Sequence, residues 1–120
     1  MLRTGVDIIE VARVEQAAAR HGERFYRRFF TSAERARCGG RFTAYAARFA
    51  AKEAVSKALG TGIGDMNWTD IEIVNDARGR PEVKLHGAAA EIAERLGIRE
   101  WSLSLAHTHE QAVAFVVATG

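Results

Sequence analysis

Apolar and polar positions change period several times along the chain, and each change marks an element. Leu2 to Ile9 puts Val6, Ile8 and Ile9 in a short run of strand character, broken by one acid, Asp7. In an alternating strand Asp7 faces away from Val6 and Ile8, the arrangement of an edge acid open to water. From Glu10 to His21 the period lengthens to that of a helix with Val11, Val14 and Ala18 on its apolar stripe and Gly22 as its stop. Glu23 to Phe30 carries Phe25, Phe29 and Phe30 among arginines, the pattern of a helix that docks its rings into a core. Thr31-Ser32-Ala33-Glu34 has the spacing of a capping box and opens a short helix that ends at Gly39-Gly40.

Phe42 to Leu59 then reads as a long central helix. Ala47, Ala51, Ala54, Val55 and Ala58 form one small-residue face, against which another element can pack closely. Phe49, Glu53 and Lys57 follow at i,i+4 steps, so a ring, a carboxylate and an ammonium share a stripe. Gly60, Gly62 and Gly64 close the helix in a loop that tolerates positive φ and offers backbone N–H groups to an anion. A core helix with a Glu53–Lys57 surface ion pair and a glycine cap accounts for the same residues.

The second half returns to period two. Trp68 to Val74 is read as a strand with Ile71 and Ile73 opposite Asp70 and Glu72, Asn75 to Pro81 as a turn, and Glu82 to His86 as the returning arm of a hairpin with Val83 and Leu85 inward. Gly87 to Leu96 is a helix capped by Gly97. Trp101, Leu103 and Leu105 alternate with polar or small residues, and after a turn at His107 to Glu110 comes the strand Ala112 to Ala118, apolar at both parities. The predicted class is α+β, an antiparallel sheet packed with the long central helix, in the order βαααββαββ with a meander in the second half.

Composition adds bounds. A chain of 120 residues makes one domain, residues 1–120. The single cysteine, Cys38, excludes an internal disulfide, and no Cys/His cluster has zinc-site spacing, so a reducing cytoplasm is expected. No signal-peptide pattern follows Met1 and no apolar run is long enough to span a bilayer, which predicts a soluble protein with no membrane partner. The net charge of +2 is too small to announce a nucleic-acid binder. Its distribution is uneven: Arg13, Arg20, Arg24, Arg27, Arg28, Arg35, Arg37 and Arg41 precede the central helix and give that half a basic face suited to an acidic partner.

Five stretches together carry a specific resemblance: GVDIIEVARV (Gly5 to Val14), RFAAKEAVSKALGTGIG (Arg48 to Gly64), WTDIEI (Trp68 to Ile73), GRPEVKLHG (Gly79 to Gly87) and WSLSLAHTH (Trp101 to His109). In order, and over nearly the whole chain, they resemble the 4'-phosphopantetheinyl transferases of the small, holo-(acyl carrier protein) synthase type. The resemblance implies transfer of the phosphopantetheine arm of coenzyme A to a serine of apo acyl carrier protein, with release of adenosine 3',5'-bisphosphate. It implies Mg²⁺ held by Asp7 and Glu53, catalysis by Asp7, Glu53 and Lys57, and coenzyme A contacts from Arg48, Lys52, Lys57, Gly60, Thr61, Gly62, Pro81, Ser104 and His107. It further implies carrier-protein docking on Arg13, Arg20 and Arg24, and a homotrimer with shared active sites. The family usually has Ser or Thr before the histidine, where this chain has Ala106. On their own residues, His107 also reads as a turn histidine, and the chain also allows a non-catalytic module that holds an acidic carrier or a nucleic-acid-binding domain; the intact Asp7 and Glu53 weigh against the first and the low charge against the second.

Overall fold

The computed structural model describes residues 1–120. Strand β1 (Leu2–Glu10) leads into four helices, α1 (Val11–His21), α2 (Glu23–Phe29), α3 (Ser32–Cys38) and α4 (Phe42–Leu59). Two 3-10 turns, Ile63–Asp65 and Trp68–Asp70, precede β2 (Ile71–Asn75) and β3 (Pro81–Leu85), and the chain finishes with α5 (Gly87–Leu96), β4 (Glu100–His107) and β5 (Gln111–Thr119). The α+β class and the bounds of α4 agree with the sequence pattern. The order is βααααββαββ, one helix more than the expected string, although the aromatic α2 and the capped α3 both fall on helical stretches read separately in the sequence.

The expected meander is replaced by two sheets. One is three-stranded in the order β1-β5-β4, antiparallel throughout, and the other is the β2-β3 hairpin. Trp68–Asp70 is a 3-10 turn and not the start of a strand, since Asn67 and Asp70 close a reciprocal cap there. At α3 the capping box is complete: Thr31 Oγ1 accepts from Glu34 N at 3.1 Å, and Glu34 Oε1 accepts from Thr31 N at 2.9 Å.

The strand β1 is inverted relative to its apolar pattern. Val6 and Ile8 are 53% and 61% exposed, whereas Gly5 is buried and Arg3, Asp7 and Ile9 face inward with it. The cause is contact between backbones. A Cβ on Gly5 would lie 1.8 Å from the Ala54 carbonyl oxygen, so β1 lies directly on the small-residue face of α4. That face, Ala47, Ala51, Ala54, Val55 and Ala58, is at most 4% exposed. It packs on Ile71, Ile73, Val116 and Ala118, while Phe25, Phe30, Tyr45 and Val14 form a second cluster under α1 and α2. Cys38 is a buried free thiol, and no helix is long and apolar enough to cross a membrane.

Candidate active site

Two neighbouring stripes of α4 divide its polar residues. Arg48, Lys52 and Ser56 lie one turn apart on a buried stripe that meets α3 and β2, and Phe49, Glu53 and Lys57 lie on the next stripe, toward β1. The second stripe borders a cleft of about 630 Å³ between β1, α1, α2 and α4. Asp7 from β1 and Glu53 from α4 are both in its lining, with Phe25, Phe29 and Phe49 as its apolar wall. The geometry that turned Val6 and Ile8 outward is what turned Asp7 in.

Asp7 has a side chain 19% exposed, and Lys57 reaches it, donating from Nζ to Asp7 Oδ1 at 3.1 Å and to the Val6 carbonyl at 2.9 Å. Lys57 is otherwise half open to water. Burial, and after it the Asp7 carboxylate, push the Glu53 carboxyl above the usual glutamate range, with Lys57 pulling the other way. Two carboxylates from separate elements, the Glu53 one held back from ionising, beside one lysine, make a site ready for a positively charged group.

The basic rim comes from α1 and α2. Of the three arginines expected to dock a carrier protein, Arg13 and Arg24 line the cleft and Arg20 does not; its turn of α1 is represented by Ala17 and His21, which continue the i,i+4 line from Arg13. Arg28, which the resemblance did not single out, also lines the cleft and sits over the Phe29 ring at 5.4 Å. The i,i+4 step from Arg24 to Arg28 was the signal that could have found it.

Several residues expected at coenzyme A lie outside the lining of this cleft. Lys52 is fully buried, and its ammonium is taken by Glu34 Oε1 at 2.8 Å and by the carbonyls of Trp68 at 3.2 Å and Ile71 at 2.5 Å, so it has no free donor for a phosphate. Arg48 is 5% exposed and donates to Asn75 Oδ1 at 2.8 Å, while its Nε is buried without a partner. Gly60 and Gly62 do not offer their N–H groups to an anion: both donate back to the last carbonyls of α4, Ser56 and Lys57, and Gly60, at φ 80°, is the left-handed cap. Thr61 Oγ1 donates to the Gly62 carbonyl. Pro81 opens β3 opposite Asn75, and Ser104 and His107 are exposed on β4, separated from β1 by β5. His107 Nδ1 lies 3.3 Å from the Thr108 carbonyl.

Residues 3–116 match the model of the 4'-phosphopantetheinyl transferase superfamily. The chain belongs to that superfamily. A holo-[acyl-carrier-protein] synthase of Herpetosiphon aurantiacus is 50% identical over 127 aligned positions covering 100% of both chains. Among solved structures, the holo-[acyl-carrier-protein] synthase of Helicobacter pylori in complex with coenzyme A superposes with a TM-score of 0.89 at 33% identity, covering 97% of this chain and 99% of that one. The Bacillus anthracis synthase in complex with CoA (3',5'-ADP) superposes at 0.78 with 38% identity, over 97% and 94%. Family membership covers the strand that carries Asp7, the helix that carries Glu53 and the β4-β5 pair alike.

Proposed function

We propose that the protein transfers the 4'-phosphopantetheine group of coenzyme A to a serine hydroxyl of an apo acyl carrier protein, releasing adenosine 3',5'-bisphosphate. The observation that carries this reading is the pairing of Asp7 and Glu53 in one arginine-rimmed cleft, in a chain 50% identical end to end to a holo-[acyl-carrier-protein] synthase. In the reaction the serine oxygen bonds to the phosphorus next to the pantetheine arm, and the bond from that phosphorus to the departing bisphosphate breaks.

The residues present suit a Mg²⁺ ion: two carboxylates from separate elements, one made hard to ionise by burial and then by the other, are a donor set that a dication completes with water and phosphate oxygens. When bound, Mg²⁺ would neutralise the pyrophosphate and the charge gathering on the leaving group. Glu53, with its raised proton affinity, is suited to take the serine proton. Lys57, half exposed and tied only to Asp7 and a carbonyl, is free to turn its ammonium to a phosphate oxygen. Phe25, Phe29 and Phe49 keep water from the reacting centre, and Arg13, Arg24 and Arg28 receive an acidic carrier.

A homotrimer with shared sites fits this reading. The face of the β1-β5-β4 sheet turned away from α4 exposes Val6, Ile8 and Phe115, the last 47% exposed, and opposes Val6 to Phe115 and Phe115 to Ser104 in register. Ser104 and His107 lie on β4, separated from Asp7 on β1 by β5, and would serve a neighbour's cleft across that face. The function is tested by incubating apo acyl carrier protein with coenzyme A, Mg²⁺ and this protein: the carrier gains the mass of one phosphopantetheine group. An unchanged carrier mass, with active coenzyme A present, would refute it.

A further inference from the structure

Lys52 and Glu34 form an ion pair at 2.8 Å with both side chains wholly out of solvent. Such a pair is a poor source of stability, because removing each ion from water costs several kcal/mol and well-packed apolar replacements are often as stable or more so. What it provides is direction. The Lys52 ammonium has three protons and three acceptors: Glu34 on α3, the carbonyl of Trp68, which opens the Trp68–Asp70 turn, and the carbonyl of Ile71, which follows it. Glu34 is equally committed. Its Oε1 accepts from Thr31 N as well as Lys52, and its Oε2 accepts from Ile73 N at 2.9 Å on β2. Burial lowers the proton affinity of Lys52, and Glu34 opposes that loss.

The turn held in this way places one ring. Trp68 stacks on Phe49 with centroids 4.7 Å apart and planes 24° from parallel, and meets Phe29 edge-on at 4.9 Å; Phe29 and Phe49 are themselves 5.4 Å apart. Phe29 and Phe49 line the cleft that holds Asp7 and Glu53, and Trp68 backs both from outside it. Glu53 is also the residue next to Lys52 on α4.

We propose that Lys52 and Glu34 are a positioning pair for the transfer reaction: by pinning the Trp68 and Ile71 carbonyls to α4, they set the Trp68–Phe49–Phe29 stack that forms one wall of the Asp7–Glu53 cleft. The kinetic part of this inference rests on the phosphopantetheinyl transfer reading, and the spectroscopic part does not.

The test replaces both charges at once, with Glu34→Leu and Lys52→Met, so that neither is left unpaired. The double variant is expected to melt close to the parent by circular dichroism, yet to lose at least roughly tenfold in kcat, as a small displacement of a cleft wall does, with KM for coenzyme A changed less than about threefold. In a Trp101→Phe background, which leaves Trp68 as the one tryptophan, its emission is expected to shift to longer wavelength and to become more open to acrylamide quenching. A stable double variant with kcat and Trp68 emission unchanged would overturn the proposal and leave the pair a packing device. If the double variant does not fold, Glu34→Gln, which keeps the shape and an acceptor oxygen, takes its place, with the same two readouts in the same direction and the same overturning result. Loss of transfer by the parent protein itself would refute the function and not the pair, because the Trp68 emission still reports the wall.

Discussion

Glu53 sits where burial and the neighbouring Asp7 both work against its charge. Its native proton affinity is raised, so the ionised form weighs on the fold, and that cost appears as pH rises from the ordinary glutamate value through the raised native one. A neutral amide escapes it. Glu53→Gln in metal-free protein is therefore expected to match the parent in acid and to melt higher at neutral pH, by roughly 1–3 °C, a small gain because the group is only half-buried and partly screened. The same variant, and Asp7→Ala, should lose transfer by at least about a hundredfold, which is the range for removing a positioned catalytic group. Thermal scans across pH and the carrier-mass assay check the two halves. A variant that lost both stability and activity would mean that Glu53 is holding the fold and not the chemistry.

At the scale of elements, the junction of β1 with α4 decides the site. Because a Cβ at Gly5 would strike a backbone oxygen, which cannot rotate away, Gly5→Ala must push the strand off the helix. It is expected to cost at least about 3 kcal/mol, as severe overpacking does, measured by the denaturant midpoint, while Gly40→Ala, where a Cβ meets nothing, stays near the parent. The central helix, the α3 capping box and the hairpin were legible in the sequence because each is set by neighbours in the chain. The orientation of β1 was not: Val6 and Ile8 carry the apolar signal, yet the close approach at Gly5 outweighs it and puts Asp7 inward. Lys52 was misjudged for a related reason, since periodicity places it on a helix face but only the distant Glu34, Trp68 and Ile71 explain why a lysine is buried there. The glycine loop read as an anion cradle because its sequence permits one; the helix end it caps uses the N–H groups first.

Across the whole molecule, charge and apolar surface are segregated. Arg13 of α1 and Arg24 and Arg28 of α2 rim the cleft and should steer an acidic carrier. Arg13→Glu and Arg24→Glu are expected to raise KM for the carrier protein by roughly tenfold and KM for coenzyme A by less than about twofold, with Arg20→Glu, outside the lining, having the smaller effect. Equal effects on both substrates in steady-state kinetics would place these arginines in the nucleotide site instead. On the other side, Phe115→Lys puts a charge in the middle of the apolar sheet face. Sedimentation should then find single chains of about 13 kDa without transfer activity, although Asp7, Glu53 and Lys57 are untouched. A fully active single chain would sink the shared-site arrangement.

A homotrimer built on the apolar face of the sheet would also make the catalyst answer to its own abundance. If Val6, Ile8 and Phe115 are covered only by other copies, each chain bears part of a site that works only in company. Turnover per chain would then be constant in concentrated solution and fall steeply on dilution, with an order in protein above one. A cell making too few copies would lose this activity abruptly and not in proportion, and a variant inactive by itself could poison the assembly or be rescued within it.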